Sequence, residues 1–165
     1  LGHSPHHMRF PGTLSAEPRV YMDMVKCLVG SMVRHGARKI FLLNGHGGNT
    51  PVNDHLNDII NELPGAQIRW YQWWDSHSVE AVAIKHNLKP AHANWLEAFP
   101  FTIVGDLPEG EKTPPSVPSS IMDAAAARRV YGDGSFGGRY RADDGIMHEV
   151  LTAALEDILL LLQFE

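Results

Sequence analysis

Two kinds of apolar pattern run along the first half of the chain and predict its elements. Positions 20–32 carry apolar residues three and four apart, which predicts a helix that is capped by Ser15, has Pro18 in its first turn and ends before Gly36. Positions 40–43 are apolar without interruption, as expected of a strand covered on both faces of a parallel sheet. The next predicted elements are, in order, a helix over 51–63, a strand over 67–74 and a helix over 76–86. This alternation of strands and helices predicts an α/β fold.

The second half of the chain is less regular. Positions 91–99 predict a short helix stopped by Pro100, and 143–164 predict a long last helix, with a further short helix over 121–130. Residues 105–120 are rich in Pro and Glu without periodicity, which indicates an exposed excursion. Residues 131–140 contain four glycines and are predicted as a loop. No repeat or linker divides the chain, so we predict a single domain over 1–165.

Composition excludes several classes of partner. Nucleic acids and anionic membrane surfaces are bound by clustered Lys and Arg side chains. The net charge of -5 therefore gives no reason to expect either as a partner. No apolar run approaches the roughly 20 residues of a spanning helix. Cys27 is the single cysteine, so the chain has no internal disulfide, which suits a reducing, cytoplasmic compartment. Its place in a helical apolar pattern predicts a core residue.

The turn after the first strand is the strongest candidate for chemistry. Positions 44–49 read Asn-Gly-His-Gly-Gly-Asn and lie between a strand and a helix, where α/β folds place their ligands. One interpretation is phosphate binding at the helix N-terminus, but neither nucleotide-binding fingerprint is present. The other makes His46 a metal ligand or a catalytic base, with the glycines leaving room for a metal and a substrate.

Two further groups remain open on residue chemistry alone. His92 and Glu97 form an acid–base or ligand pair if His92 precedes the predicted helix, but taken alone the spacing is more typical of a capping histidine and a surface glutamate. The tryptophans of the second strand are typical of a core or an interface, although one of them can reach a site at the strand end. Asp75 is interpreted as a helix cap.

These motifs together resemble the creatininase (creatinine amidohydrolase) family. The Asn-Gly-His-Gly-Gly-Asn signature at 44–49 is its most specific element. Residues 2–7 and the Phe-Pro-Gly-Thr-Leu-Ser run at 10–15 are similar to the upstream family elements, and they occur in the same order. Residues 92–99 are similar to the His-Ala-Gly-x-x-Glu-Thr-Ser element, and the loop at 134–138 is similar to the family's C-terminal loop.

The resemblance implies a three-layer α/β/α fold with a mostly parallel sheet, and a hydrolase that opens C–N bonds in small amides, cyclic amides or formamides. It implies two divalent metals per site, zinc or manganese or else iron, with His46 and Glu97 as ligands. His92 would be the acid/base at the leaving nitrogen. The substrate would contact Ser4, His7 and Trp95. The family forms homo-oligomers, often hexamers.

Two departures from the family pattern change these expectations. The remaining family ligands, a Glu, a His and a bridging Asp, come from an N-terminal segment that has no counterpart after Leu1, so we expect the N-terminal strand to be missing from this chain. The competing hypothesis is an inactive subunit or binding module with an incomplete metal site. The family Thr-Ser is replaced by Ala98 and Phe99, so we expect a substrate other than creatinine.

Overall fold

Two parallel strands form the centre of the fold. β1 (Lys39–Asn44) and β2 (Gln67–Gln72) pair in register, from Lys39 opposite Gln67 to Asn44 opposite Gln72. The computed structural model describes residues 2–164, and within that range β1 has β2 as its only strand neighbour. The predicted α/β class is confirmed, while the single-domain and three-layer predictions remain predictions.

The helices around this sheet follow the predicted order with two differences. The predicted helix over 51–63 is interrupted at His55, which leaves the helical region with φ −106° and ψ 3°. The second strand stops at Gln72 because residues 73–75 turn into a short 3₁₀ helix. The bounds of the first four helices are α1 Pro18–Arg34, α2 Pro51–Asp54, α3 Leu56–Asn61 and α4 His77–Lys85.

The two faces of the sheet contact different helices. Side chains alternate between faces along a strand, so Ile40 and Tyr71 point in opposite directions in this register. Ile40 packs with Val29 of α1 and Ile59 of α3. On the other face, the Tyr71 hydroxyl donates a 2.9 Å hydrogen bond to Asp157 of α6 (Asp144–Leu161). Burial and this hydrogen bond raise the pKa of Tyr71 to about 12.

The larger apolar core joins α4 and α6 to the segment between residues 88 and 99. Trp95 lies at its centre and is completely buried. Every other buried member comes from α4, α6 or a flanking loop. The buried members are Val79, Ala83, Leu88, Trp95, Leu96, Phe99, Ala142, Met147, Val150 and Ala154. This core fixes the 88–99 segment, which carries three of the candidate site residues, namely His92, Trp95 and Glu97.

The second half of the chain contains one pairing that the sequence pattern did not predict. β3 (Glu111–Lys112) and β4 (Gly138–Arg139) form a short antiparallel pair, although both lie in segments predicted as loops. α5 (Ala124–Tyr131) begins at Asp123, whose carboxylate accepts from the amide of Ala126. The excursion at 105–120 is therefore attached to the Gly-rich loop at 131–138.

Two other predictions concern single segments. The predicted helix over 91–99 is wrong: only residues 95–97 form a 3₁₀ turn, and Ala93 adopts a left-handed φ of 51°. Cys27 is exposed and does not belong to the core. Among residues 2–164 no helix combines the length and the apolar character needed to cross a membrane.

Candidate active site at the carboxyl end of β1

Asn44 fixes the turn that carries His46. Its side chain is buried, and Oδ1 accepts from the backbone amide of His46 at 3.1 Å and from Asn49 Nδ2 at 3.3 Å. Its Nδ2 donates to Oε1 of Gln72 at the end of β2. One buried amide therefore joins both strand ends to the turn, and it holds His46 at the carboxyl edge of the sheet.

The N-terminal loop lies directly on this turn. A Cβ atom at Gly48 would come within 1.8 Å of the carbonyl oxygen of His3 and 2.7 Å of His46 Nε2. A Cβ atom at Gly2 would lie 2.5 Å from Oδ1 of Asn49. These approaches require glycine at both positions, because any other side chain would displace the His3 backbone at Gly48 or the Asn49 side chain at Gly2. These two glycine-dependent contacts bring the first loop to His46.

The ring of His46 contacts this loop through one nitrogen. Nε2 lies 2.6 Å from Ser4 Oγ and 3.1 Å from the carbonyl oxygen of His3. The carbonyl can only accept, so a proton on Nε2 satisfies it and leaves the lone pair on Nδ1. Nδ1 makes no hydrogen bond within residues 2–164. In this geometry Nδ1 is the nitrogen available to a metal ion.

His92 and Glu97 are brought together by the loop at 90–99. Oε1 of Glu97 accepts from the amide of Ala93 at 2.7 Å and lies 3.7 Å from His92 Nδ1. The buried Asn94 fixes this loop by accepting from the Leu96 amide and donating to the carbonyl of Lys89. The structure thus brings the carboxylate of Glu97 next to the imidazole of His92, without the helix that the sequence predicted.

The ring of His7 lies against the ring of His92. The two are stacked, with centroids 4.9 Å apart and an interplanar angle of 15°. Burial, followed by the neighbouring histidines, lowers the pKa of His7 to about 4. Nε2 of His7 is buried without a hydrogen-bond partner among residues 2–164. His7 is therefore neutral at pH 7 and keeps one nitrogen free for a ligand.

Burial also lowers the pKa of His92. The carboxylate of Glu97 opposes this shift, and His46 adds to it. The imidazole of His92 is consequently neutral near pH 7, with a lone pair that can take a proton. A neutral histidine beside a carboxylate has the properties of a general base.

Two adjoining cavities share the rings of His7, His46 and His92. The first has a volume of about 430 Å³ and is also lined by Ser4. The second has a volume of about 610 Å³ and is also lined by Glu97. Five of the six predicted site residues therefore border these cavities. Trp95 does not: its side chain is fully buried and its indole nitrogen donates to the carbonyl of Lys89.

Four residues of the second cavity were not among the predicted site residues. Trp73 and Trp74 both line it, whereas the sequence pattern indicated only that one tryptophan of the second strand can reach a site there. Asp75 lies on the same wall, and Ser76, not Asp75, caps α4 by accepting from the Val79 amide. The available signal was position, because residues 73–75 directly follow β2 at the carboxyl edge of the sheet. The fourth residue, Phe136, comes from the Gly-rich loop.

His46 and Glu97 have suitable chemistry for a divalent metal but do not complete a site. Imidazole and carboxylate are ordinary ligands of zinc and manganese, and both side chains line the second cavity. Each ion needs about four ligands. No group of three or more His, Cys, Asp or Glu side chains in the described part of the chain is arranged to hold a metal. A divalent ion held by these two side chains would therefore need further ligands.

The low pKa of His7 predicts an acid-sensitive fold. Between pH 6.5 and about 4 the unfolded chain binds a proton at this position that the folded chain does not, so the free energy of unfolding should fall as pH falls through this window. His7→Asn should reduce this dependence, measured by urea unfolding at pH 7 and pH 4.5. The matched control is His77→Asn, since His77 is 98% exposed. Equal pH dependence in both variants would contradict the assignment.

Comparisons with known proteins agree on one family. A family model for creatininase, described as creatinine amidohydrolase, matches residues 1–162. A manganese form of creatininase has a TM-score of 0.72 at 20% identity, covering 95% of this chain and 70% of its own. A mutant creatininase of the Zn-Zn type has a TM-score of 0.69 at 18% identity, and the match covers 95% of this chain and 69% of that one. A mutant creatininase complexed with creatine has a TM-score of 0.70 at 18% identity, and the match covers 95% of this chain and 69% of that one. No curated protein matches the chain.

Proposed function

The chain belongs to the creatininase family, and from this we propose that the complete protein is a metal-dependent hydrolase of a C–N bond in a small amide, cyclic amide or formamide. The observation that carries the proposal is the convergence of His46, His92 and Glu97 on adjoining cavities at the carboxyl end of β1. The solved relatives support it, because they include a manganese form and a Zn-Zn form.

We assign His46 and Glu97 as two of the metal ligands. The metals are zinc or manganese, or else iron, with two per site in the complete protein. When bound, they lower the pKa of a shared water and polarise the scissile carbonyl. The chain's own contribution is to fix the two ligands: Asn44 and the N-terminal loop orient His46, and the amide of Ala93 holds Glu97.

His92 is the proposed acid and base at the leaving nitrogen. Its neutral imidazole can take a proton from the attacking water and return it to the nitrogen as the C–N bond breaks. Glu97, at 3.7 Å from Nδ1, stabilises the imidazolium formed between these two transfers. The stacked ring of His7 stays neutral, so it adds no repulsion to that charge.

The substrate end of the site is assigned to Ser4 and His7. Both border the first cavity, and Nε2 of His7 lacks a partner among the described residues. Trp73 and Trp74 replace Trp95 as the aromatic wall of the second cavity. A flat, apolar wall opposite neutral polar groups suits a small uncharged amide. Since Ala98 and Phe99 replace the family Thr-Ser, the substrate proposed is not creatinine itself.

Metal analysis of the full natural protein tests the proposal. We expect about two equivalents of divalent metal per chain, as in two-metal hydrolases. Hydrolysis should be assayed by amine or ammonia release from creatinine, small lactams and N-formyl compounds. Activity should disappear with a chelator and return with added zinc or manganese. A stable, metal-free protein that hydrolyses none of these compounds would favour the inactive subunit or binding module.

Two further properties are proposed for the complete protein. Self-association as a homo-oligomer, with the hexamer typical of the family, is supported by exposed leucines on α6, at Leu155 (48%) and Leu159 (63%). A reducing, cytoplasmic location is supported by the single exposed thiol of Cys27, which would be vulnerable to oxidation elsewhere. Light scattering of the purified protein measures the first.

A further inference from the structure

The excursion at 105–120 supplies one side chain to the interior of the Gly-rich loop. Lys112 belongs to β3 and pairs with Gly138 of β4. Its side chain is 19% exposed, although the surrounding excursion is mostly exposed. A lysine rarely gives up this much water contact unless its ammonium has polar partners. The partners of Lys112 all lie in the loop at 131–135.

The ammonium of Lys112 uses all three of its donors on this loop. Nζ donates to the carbonyl of Tyr131 at 2.6 Å, to Asp133 Oδ1 at 2.5 Å and to the carbonyl of Ser135 at 2.7 Å. Tyr131 ends α5, and Ser135 lies four residues later. One charge therefore joins both ends of a turn that contains Gly132 and Gly134 at positive φ.

Asp133 strengthens this arrangement from inside the loop. Its carboxylate also accepts from the Tyr140 hydroxyl at 2.6 Å and from the amide of Ser135 at 3.0 Å. Burial opposes ionisation, but the hydrogen bonds from Lys112, Tyr140 and Ser135 hold the pKa of Asp133 below its usual value. Without the Lys112 ammonium, the two carbonyls would lose their donor and the carboxylate would lose its counter-charge.

The loop held by Lys112 contacts the candidate site directly. The amide of Phe136, next to Ser135, donates to the carbonyl of His92 at 3.0 Å. The Phe136 ring lies 4.8 Å from the His92 ring and is stacked on Tyr131 at 4.2 Å. A contact chain thus runs from Lys112 through Ser135 and Phe136 to His92.

A second contact between the excursion and the loop is independent of Lys112. A Cβ atom at Gly137 would lie 2.7 Å from Cα of Pro114, so backbone meets backbone here. The carbonyl of Gly137 accepts from Asn94 Nδ2, the side chain that fixes the His92 segment. Gly137 therefore contacts the excursion on one side and the segment that carries His92 on the other.

We propose that Lys112 is a positioning residue, which holds the loop at 131–137 so that Phe136 supports the ring of His92. For catalysis this inference rests on the proposed function. The effect of Lys112 on the surroundings of the His92 ring does not rest on the proposed function, because it is a property of the fold. Within the excursion, Lys112 supplies the cation that holds this loop, and most of the remaining residues are exposed.

The decisive variant is Lys112→Met, which keeps most of the side-chain length and removes the ammonium. The matched control is Glu111→Gln, on the adjacent, exposed residue of the same strand. The first readout is the Phe136–His92 ring contact, measured by NMR in the selectively labelled full protein. The second is the separation of kcat from KM in the most active assay.

We expect Lys112→Met to lose the ring contact and Glu111→Gln to keep it. The value of kcat should fall by up to about 100-fold, as for a displacement of about 1 Å at a reacting group, while KM changes less than about twofold. A Lys112→Met protein that keeps the ring contact overturns the proposal, even if its unfolding temperature falls, because the ion pair would then be merely stabilising.

If Lys112→Met does not fold, Lys112→Arg decides the matter. A planar guanidinium retains the charge but does not present three donors around one atom, so the contact should weaken. An arginine variant with the wild-type contact overturns the proposal. If the wild-type protein hydrolyses nothing, the proposed function fails, and the ring-contact measurement still decides the role of Lys112.

Discussion

Replacing His46 with alanine is expected to remove metal from the complete protein and to lower its hydrolytic activity by more than about 100-fold. Removing a residue that only supports a metal ligand costs up to about 100-fold. His46 is proposed to be a ligand itself, so its loss should cost more. The variant also removes the partner of Ser4 Oγ and of the His3 carbonyl, so the N-terminal loop keeps only its other contacts with the turn, such as the hydrogen bond from the His3 amide to Asn49.

Metal content by elemental analysis and the rate of amide hydrolysis measure this outcome together. His77→Ala is the matched control, because His77 lies on α4 and is 98% exposed. Metal should be retained in the control and reduced in the His46 variant. A His46→Ala protein with full metal content and full activity would refute the ligand assignment and leave His46 a structural residue of the turn.

The second large effect is expected from His92→Asn. General acid–base catalysis by a positioned side chain contributes about 10²- to 10⁴-fold, and we expect kcat to fall within this range. KM should change little and metal content should remain, since Glu97 keeps its hydrogen bond from the amide of Ala93. Burial lowers the pKa of His92, so the acidic limb of the wild-type pH–rate profile should lie below pH 6.5.

His55→Asn serves as the control for this second variant, because His55 is exposed, contacts Asp58 and lines neither cavity of the site. Steady-state kinetics between pH 4.5 and 8 should show the acidic limb in the control and its loss in His92→Asn. A parallel loss of metal would assign His92 to metal binding, which contradicts its proposed role as acid and base.

The sequence pattern predicted the sheet and its turn well because these rest on local signals. An uninterrupted apolar run and a Gly-rich turn are visible in a few adjacent positions, and β1 and the site of His46 were predicted from them. The apolar spacing after Pro18 likewise predicted α1, although the helix is preceded by Glu17 and not capped by Ser15 as expected. The approach of His3 to Gly48 was not visible, because it joins residues 45 positions apart in a segment without periodicity.

The errors at residues 92–97 have a common geometric cause. A helix was predicted, but a 3₁₀ turn forms, with about three residues per turn. Residues two apart in such a turn point about 120° apart, so Glu97 reaches the cavity while Trp95 enters the core. The contact of Lys112 with the loop at 131–135 could not be predicted from the sequence pattern either, because β3 and β4 have only two residues each.

The tryptophans give the site an optical reporter. Trp73 and Trp74 line the second cavity with their rings 6.4 Å apart, whereas Trp95 is sealed in the core. A paramagnetic metal such as manganese, or an absorbing substrate, would quench the two cavity indoles more than those of Trp95 and Trp70, which line neither cavity. Intrinsic emission then separates into a component that senses occupancy and one that senses folding, so a single titration can distinguish binding from unfolding.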